Sequence, residues 1–205
     1  MDPKNFKGSV LHYPVIKIVP IPDVVLPALD EYSHIIFTSK STVEIFFSFR
    51  PKVDHLSFLA IGPSTATALK EKGYASLIAE EATQEGIMKL MDKLCIKKVF
   101  LPCSSLARND LAKFLSEQKI LYTLCYLYQT VSQIPFPPPD INDIQEIVFT
   151  SPSTVDGFLK IYPLSSLVGK KIHCIGPITR NYLQDYLNQL QSNPKTGGLY
   201  DRSKN

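Results

Sequence analysis

The chain repeats itself. Residues 34–47 read HIIFTSKSTVEIFF and residues 146–159 read EIVFTSPSTVDGFL. At an offset of 112, eight of the fourteen positions are identical. A second pair follows in the same order at an offset of 114, AIGPSTATAL at 60–69 and CIGPITRNYL at 174–183. Two different motifs recurring in order at nearly one offset mark duplication of a supersecondary unit. Whatever this chain folds into contains the same small structure twice.

Each copy reads as strand, turn, helix, strand, turn, helix. The β-rich runs His34–Phe37 and Ile147–Phe149 end in Thr-Ser, and an amphipathic stretch follows. Ser151-Pro152 suits a helix N-cap with proline at the first helical position. The next strands are Leu56–Ile61 and Ile172–Ile175, after which Gly-Pro opens helices near Ser64 and Ile178. Between the copies the pattern predicts strand 75–79 with helix 84–94, and strand 98–101 with helix 105–118. Alternating strands and helices imply parallel sheets with right-handed crossovers. Two β-rich segments lack a following helix, His12–Ile21 and Leu121–Val131. Paired, they would make a two-stranded β-ladder between two α/β lobes. Residues 22–120 then form a complete lobe, 12–21 and 121–131 the linker strands, and 1–11 with 132–205 a second, shortened lobe. PFPPP at 135–139 is an extended connector, and the polar stretch after Asn193 is expected to be disordered.

Composition excludes several function classes. Lys and Arg number 22 against 19 Asp and Glu, a net charge of +3. That is too little for a nucleic-acid binder driven by phosphate contacts, although a small anionic ligand needs only local charge. No apolar run reaches the roughly 18 residues of a membrane span. The start MDPKNFKGSV is polar where a signal peptide has its apolar core, so the expected location is the cytoplasm. Cys95, Cys103, Cys125 and Cys174 are scattered without CxxC spacing, and the four histidines are isolated. Neither a zinc site nor a disulfide framework is expected.

Candidate chemistry sits at strand ends. In open parallel sheets ligands bind beyond the carboxyl ends of the strands. The turns at Thr38-Ser39, Gly62-Pro63, Thr150-Ser151 and Gly176-Pro177 belong to that class. Each leads into a helix N-terminus, where free N–H groups and a partial positive charge favour carboxylates or phosphates. Two lobes on a hinge could present two such rims to one cleft. Serine and threonine at these places also act simply as caps, and duplication copies caps as readily as ligands. Arg108 either reaches a ligand anion or is a solvated helix arginine, and Lys171 precedes a strand. Tyr128, in the linker strand, either turns its hydroxyl into the cleft as a weak acid or packs as an aromatic. Strand alternation puts Tyr126 on its face. No triad, P-loop, GxGxxG or paired-carboxylate signature occurs.

The ordered set PVIKI, IIFTSKSTV, AIGPSTATAL, ATQEGI, LPCSSLAR, YQT, IVFTSPSTV and CIGPITRNYL resembles uroporphyrinogen-III synthase over residues 8–187. The resemblance implies two α/β lobes joined by a two-stranded ladder. It implies a lyase of porphyrin and haem biosynthesis that closes hydroxymethylbilane with loss of water and inversion of ring D, using no metal or cofactor. Its functional tyrosine, in YQT, falls on Tyr128, which would help the bilane hydroxyl leave. Its serine, threonine and amide contacts fall on Ser39, Thr65, Ser151, Ser153 and Thr179, and its lysine on Lys171. Thr38 and Arg108 join these from their strand-end positions. An electrophilic azafulvene on ring A that attacks ring D at its substituted carbon gives a spiro intermediate, which fragments and recloses inverted. Such chemistry needs orientation and one weak acid rather than a strong nucleophile.

Family chains begin with a βα unit before PVIKI and end with one matching ATQEGI, and neither is found here. The second lobe is therefore expected to keep two parallel strands with open edges. The competing reading is a catalytically inactive α/β module that binds a tetrapyrrole or another polyanion. A receiver or sugar-phosphate binder is a third, disfavoured because no acidic strand-end cluster is present. The expected enzyme is a monomer that takes its bilane by hand-over from hydroxymethylbilane synthase, with no nucleic acid or membrane partner.

Overall fold

A strand that ends in a short turn and runs straight into a helix is the unit from which the molecule is built. The computed structural model describes residues 9–192. They run β1 (Ile16–Pro20), β2 (His34–Phe37), α1 (Lys40–Ser48), β3 (Ser57–Ala60), α2 (Pro63–Glu71), β4 (Leu77–Ile78) and α3 (Gln84–Met91). Then come β5 (Lys98–Ser104), α4 (Asp110–Glu117), β6 (Leu121–Ser132), β7 (Glu146–Phe149), α5 (Pro152–Leu159), β8 (Lys171–Cys174) and α6 (Pro177–Ser192). The polar stretch after Asn193 lies outside the described residues. The chain is an α/β protein with mostly parallel strands, and its described residues form two compact units, 18–130 and 9–17 with 131–192.

The sheet of the first unit has the order β1-β6-β5-β2-β3-β4. From β6 to β4 every pairing is parallel. All four β2 residues are buried, as strands covered on both faces must be. Alternation along β2 sends Ile35 and Phe37 to one core and Ile36 to the other. The first core packs Val43 and Phe46 of α1 and Leu69 of α2 against Phe58 and Phe100. The second packs Ile87 of α3 and Leu111 and Leu115 of α4 against Leu59, Val99 and Leu101. Helices thus cover both faces. All their N-termini emerge at the edge where the parallel strands end.

Three elements differ from expectation. Strand β5 runs through Pro102 to Ser104 rather than stopping at Leu101. It can do so because its ladder with β2 covers only His34↔Val99 and Ile35↔Phe100, ending before the residue that has no N–H to give. Helix α4 starts at Asp110, not Ser105. The intervening residues turn on Ser104, whose Oγ accepts the Leu106 N–H (3.2 Å) and whose carbonyl accepts that of Ala107 (3.0 Å). Strand β6 is more than a connector. It pairs with β5 from Lys98↔Leu121 to Ser104↔Tyr128, and its other edge meets β1. The bonds Ile21 N–H to Leu127 C=O and Gln133 N–H to Val15 C=O make that second pairing antiparallel.

In the second unit β7 and β8 pair in parallel from Glu146↔Lys171 to Phe149↔Cys174. Phe149, Val155, Phe158 and Leu183 form the core under α5 and α6. Position 157 holds glycine where the first copy has Ile45. The reason is close packing: a Cβ there would stand 2.7 Å from the Val15 carbonyl oxygen. Among the described residues no helix is long and apolar enough to cross a membrane.

Candidate functional site

The strand ends of the first unit gather Thr38, Ser39, Thr65, Arg108 and Tyr128. Ser39 is the N-cap of α1; its extended backbone points Oγ back at the helix, where it accepts the Thr42 N–H at 3.1 Å. The same oxygen lies 2.7 Å from Thr42 Oγ1 and 3.0 Å from the Tyr128 hydroxyl. Thr65 is buried in the first turn of α2, whose cap, Gly62, offers no side chain. Thr38 lines a small depression with Gln84, Cys103, Arg108 and Tyr126.

How Tyr128 reaches Ser39 depends on a β-bulge. Cys103 pairs with Tyr126 but Ser104 pairs with Tyr128, so Leu127 is an extra residue in β6. Without it, alternation would keep Tyr126 and Tyr128 on one face, as the sequence predicts. Instead Leu127 and Tyr128 are both buried in the core under α1 and α2, while Tyr126 is 43% exposed and lies beside Leu124 and Leu101. The bulge swings the Tyr128 ring through the sheet to the Ser39 side. Ser105 N–H then binds the Tyr128 carbonyl at 2.9 Å and closes the irregularity.

Arg108 stands in the loop before α4, not one turn inside a helix. Its guanidinium already meets two carboxylates, Glu85 at 3.3 Å and Asp110 at 3.2 Å. Glu85 is held below the usual carboxylate range, first by its own backbone N–H and also by Arg108, against a desolvation that opposes the shift. A ligand anion would have to compete for Arg108. Burial, with a smaller contribution from Cys125, pushes the Cys103 thiol up to about 12, so it is no thiolate nucleophile. Among the described residues no three His, Cys, Asp or Glu side chains cluster to hold a metal ion.

The second unit brings together Ser151, Ser153 and Thr179. Ser151 caps α5, and its Oγ lies 3.0 Å from Ser153 Oγ. Thr179 is buried in the first turn of α6. Lys171 is not brought to them. It opens β8, so the length of that strand, roughly 10 Å at about 3.3 Å per residue, separates it from the carboxyl ends. Its amine pairs with Glu146 at 3.3 Å, and the same carboxylate meets His173 at 2.8 Å. His173 first, then Lys171, hold Glu146 below the usual carboxylate range.

Thr42 is the residue the sequence reading passed over. It is fully buried, and its hydroxyl belongs to the Tyr128–Ser39 group. The signal was in the repeat, where Thr42 and Thr154 occupy identical positions of STV.

The family model described as uroporphyrinogen-III synthase HemD matches residues 4–196. A porphyrin biosynthesis protein HemD of Ruminiclostridium josui is 28% identical over 209 residues, covering 89% of this chain and 40% of that protein. The chain thus spans well under half the length of that relative. A Methanothermobacter thermautotrophicus protein, provisionally named uroporphyrinogen-III synthase, is 29% identical over 178 residues, covering 77% of this chain and 70% of its own. The fold is that of the Helicobacter pylori uroporphyrinogen-III synthetase crystal structure (TM-score 0.62, 20% identity, 84% of this chain and 80% of that one). It is also that of a mutant Thermus thermophilus uroporphyrinogen III synthase (TM-score 0.56, 15% identity, 86% and 79%). With a family match along nearly its whole length, the chain belongs to the uroporphyrinogen-III synthase family.

Proposed function

We propose that this chain cyclises hydroxymethylbilane to uroporphyrinogen III, losing water and inverting ring D. The observation that carries the reading is the Tyr128 hydroxyl. A bulge delivers it to the carboxyl end of a parallel sheet, 3.0 Å from Ser39, with no titratable side chain bonded to it among the described residues. In the proposed step the C–O bond of the terminal hydroxymethyl group breaks and the leaving oxygen takes the Tyr128 proton to become water. The pyrrole nitrogen lone pair fills the exocyclic carbon, giving the azafulvene of ring A. Attack on the substituted carbon of ring D, fragmentation and reclosure follow. Rearomatisation releases a proton, which restores the phenol.

Helix N-termini at Ser39, Gly62-Pro63, Ser151 and Gly176-Pro177 are the proposed holders of the bilane carboxylates. Thr38, Thr65, Ser153 and Thr179 line those turns, with Arg108 available on exchange of an ion pair. The proposed enzyme works as a cytoplasmic monomer supplied by hydroxymethylbilane synthase. The test is Tyr128→Phe. Turnover should fall by roughly 10²-fold, the order a positioned acid supplies, while affinity for the bilane stays the same. Binding without turnover by the unsubstituted chain would instead identify a tetrapyrrole-binding module.

A further inference from the structure

We propose that Thr42 is a positioning residue that sets the direction of the Tyr128 hydroxyl proton; the inference rests on the reading just given. The argument is a hydrogen count. Ser39 Oγ has three neighbours: the Thr42 N–H at 3.1 Å, Thr42 Oγ1 at 2.7 Å and the Tyr128 hydroxyl at 3.0 Å. A serine hydroxyl has one hydrogen and two lone pairs, and the amide occupies one lone pair. One neighbouring hydroxyl must therefore donate to Ser39 and the other must accept from it.

If Tyr128 donates, Ser39 gives its hydrogen to Thr42. The Thr42 hydrogen is then orphaned, because Ser39 Oγ is the sole hydrogen-bond partner of that side chain among the described residues and the residue is fully buried. Leaving a buried donor unmade is the costly outcome. If Thr42 donates, the chain runs Thr42 to Ser39 to Tyr128, and the one hydrogen left over is that of the phenol, whose residue keeps some exposure (6% against 0% for Thr42) and can turn to a third partner. The same chain donates into the phenolate that forms when that proton departs.

The repeat supplies a control. Thr154, at the matching position of the second copy, uses its Oγ1 on the backbone. It accepts the N–H groups of Thr150 and Ser151, each at 3.2 Å, and donates to the Ser151 carbonyl at 2.6 Å. That is capping. Thr42 bonds the Ser39 hydroxyl instead, in the copy where a tyrosine meets the cap serine. Duplicated residues have thus been put to different uses. Without the Thr42 hydroxyl, the second lone pair of Ser39 is open, and the phenol, the more acidic hydroxyl, donates into it.

The experiment measures kcat and KM for hydroxymethylbilane with Thr42→Val, Thr42→Ser and Thr42→Ala, each in the unsubstituted and Tyr128→Phe backgrounds. Valine keeps the shape and the backbone N–H that donates to the Ser39 cap of α1. We expect kcat to fall by about 10-fold with KM within about 2-fold, serine to restore it, and alanine to behave as valine. In Tyr128→Phe, Thr42→Val should change nothing further, since both act through one proton. A Thr42→Val or Thr42→Ala enzyme with full kcat overturns the inference. So does a serine variant no better than valine, or an undiminished loss in the Tyr128→Phe background. An unsubstituted chain that forms no type III product overturns the synthase reading itself, a separate result.

Discussion

The Tyr128 hydroxyl meets the Oγ of Ser39, eighty-nine positions away in the chain, at 3.0 Å. One end of this contact is a helix cap and the other is a bulged strand, so Ser39 serves α1 and the tyrosine at once. Ser39→Ala should therefore show two separable losses. Removing the cap costs about 1 kcal/mol of stability, read from urea unfolding. Removing the hydrogen-bond partner of Tyr128 lowers kcat as well, and a glycine at 39, which caps nearly as well as serine, should recover stability but not turnover.

Gly157 is a packing requirement rather than a flexible joint. A Cβ would lie 2.7 Å from the Val15 carbonyl oxygen and 2.9 Å from a Val15 methyl. Gly157→Ala should destabilise the protein by about 1–3 kcal/mol, the range for overpacking. Gly176→Ala is the comparison, because nothing lies within 4 Å of a Cβ there. Thermal unfolding of the two variants should differ clearly, with Gly176→Ala the milder, since it loses only the advantage of glycine over alanine at the start of α6.

Lys170 ties a turn. Its ammonium donates to the carbonyls of Ile141 (2.6 Å), Ile144 (2.7 Å) and Asn142 (3.3 Å), ahead of β7. Lys170→Met keeps the aliphatic stem and loses these bonds. The expected cost is about 1–3 kcal/mol, since hydrogen bonds from a charged donor are the stronger kind. Hydrogen exchange of residues 141–149 should rise in this variant and that of residues 34–37 should not.

Stability should fall on mild acidification because of His34. It is buried at the start of β2, and burial holds its imidazole below the ordinary value of 6.5. As pH drops through 6.5 the unfolded chain takes up a proton that the folded chain refuses until its own lower pKa is reached. The stabilisation is therefore complete above 6.5 and declines beneath it. Urea midpoints measured from about pH 8 to pH 5 should decrease, and His34→Asn, which cannot titrate, should flatten that slope.

Much of this was legible in the sequence because the repeat is local. Thr-Ser after an apolar run, and Gly-Pro after the next, specify strand ends and helix starts through capping alone. The α5 boundary at Pro152 and the α2 boundary at Pro63 follow from that. What was not legible depends on register. Leu127 reads as one more strand residue, yet it is the inserted one, so Tyr126 and Tyr128 part company. The start of α4 was missed because Ser104 ends a strand and also holds the turn after it. Lys171 enters from the family resemblance alone, and its position at the start of β8, a strand's length from Gly176-Pro177, follows from the strand that lies between them.

The most direct measurement is the isomer composition of the product. Hydroxymethylbilane generated in situ is incubated with the chain or with buffer, the product is oxidised, and uroporphyrins I and III are separated. Unguided closure attacks the unsubstituted position and gives type I. The account predicts predominantly type III with the chain present. Type I alone, at the rate of the buffer control and from protein shown to be folded, would contradict it.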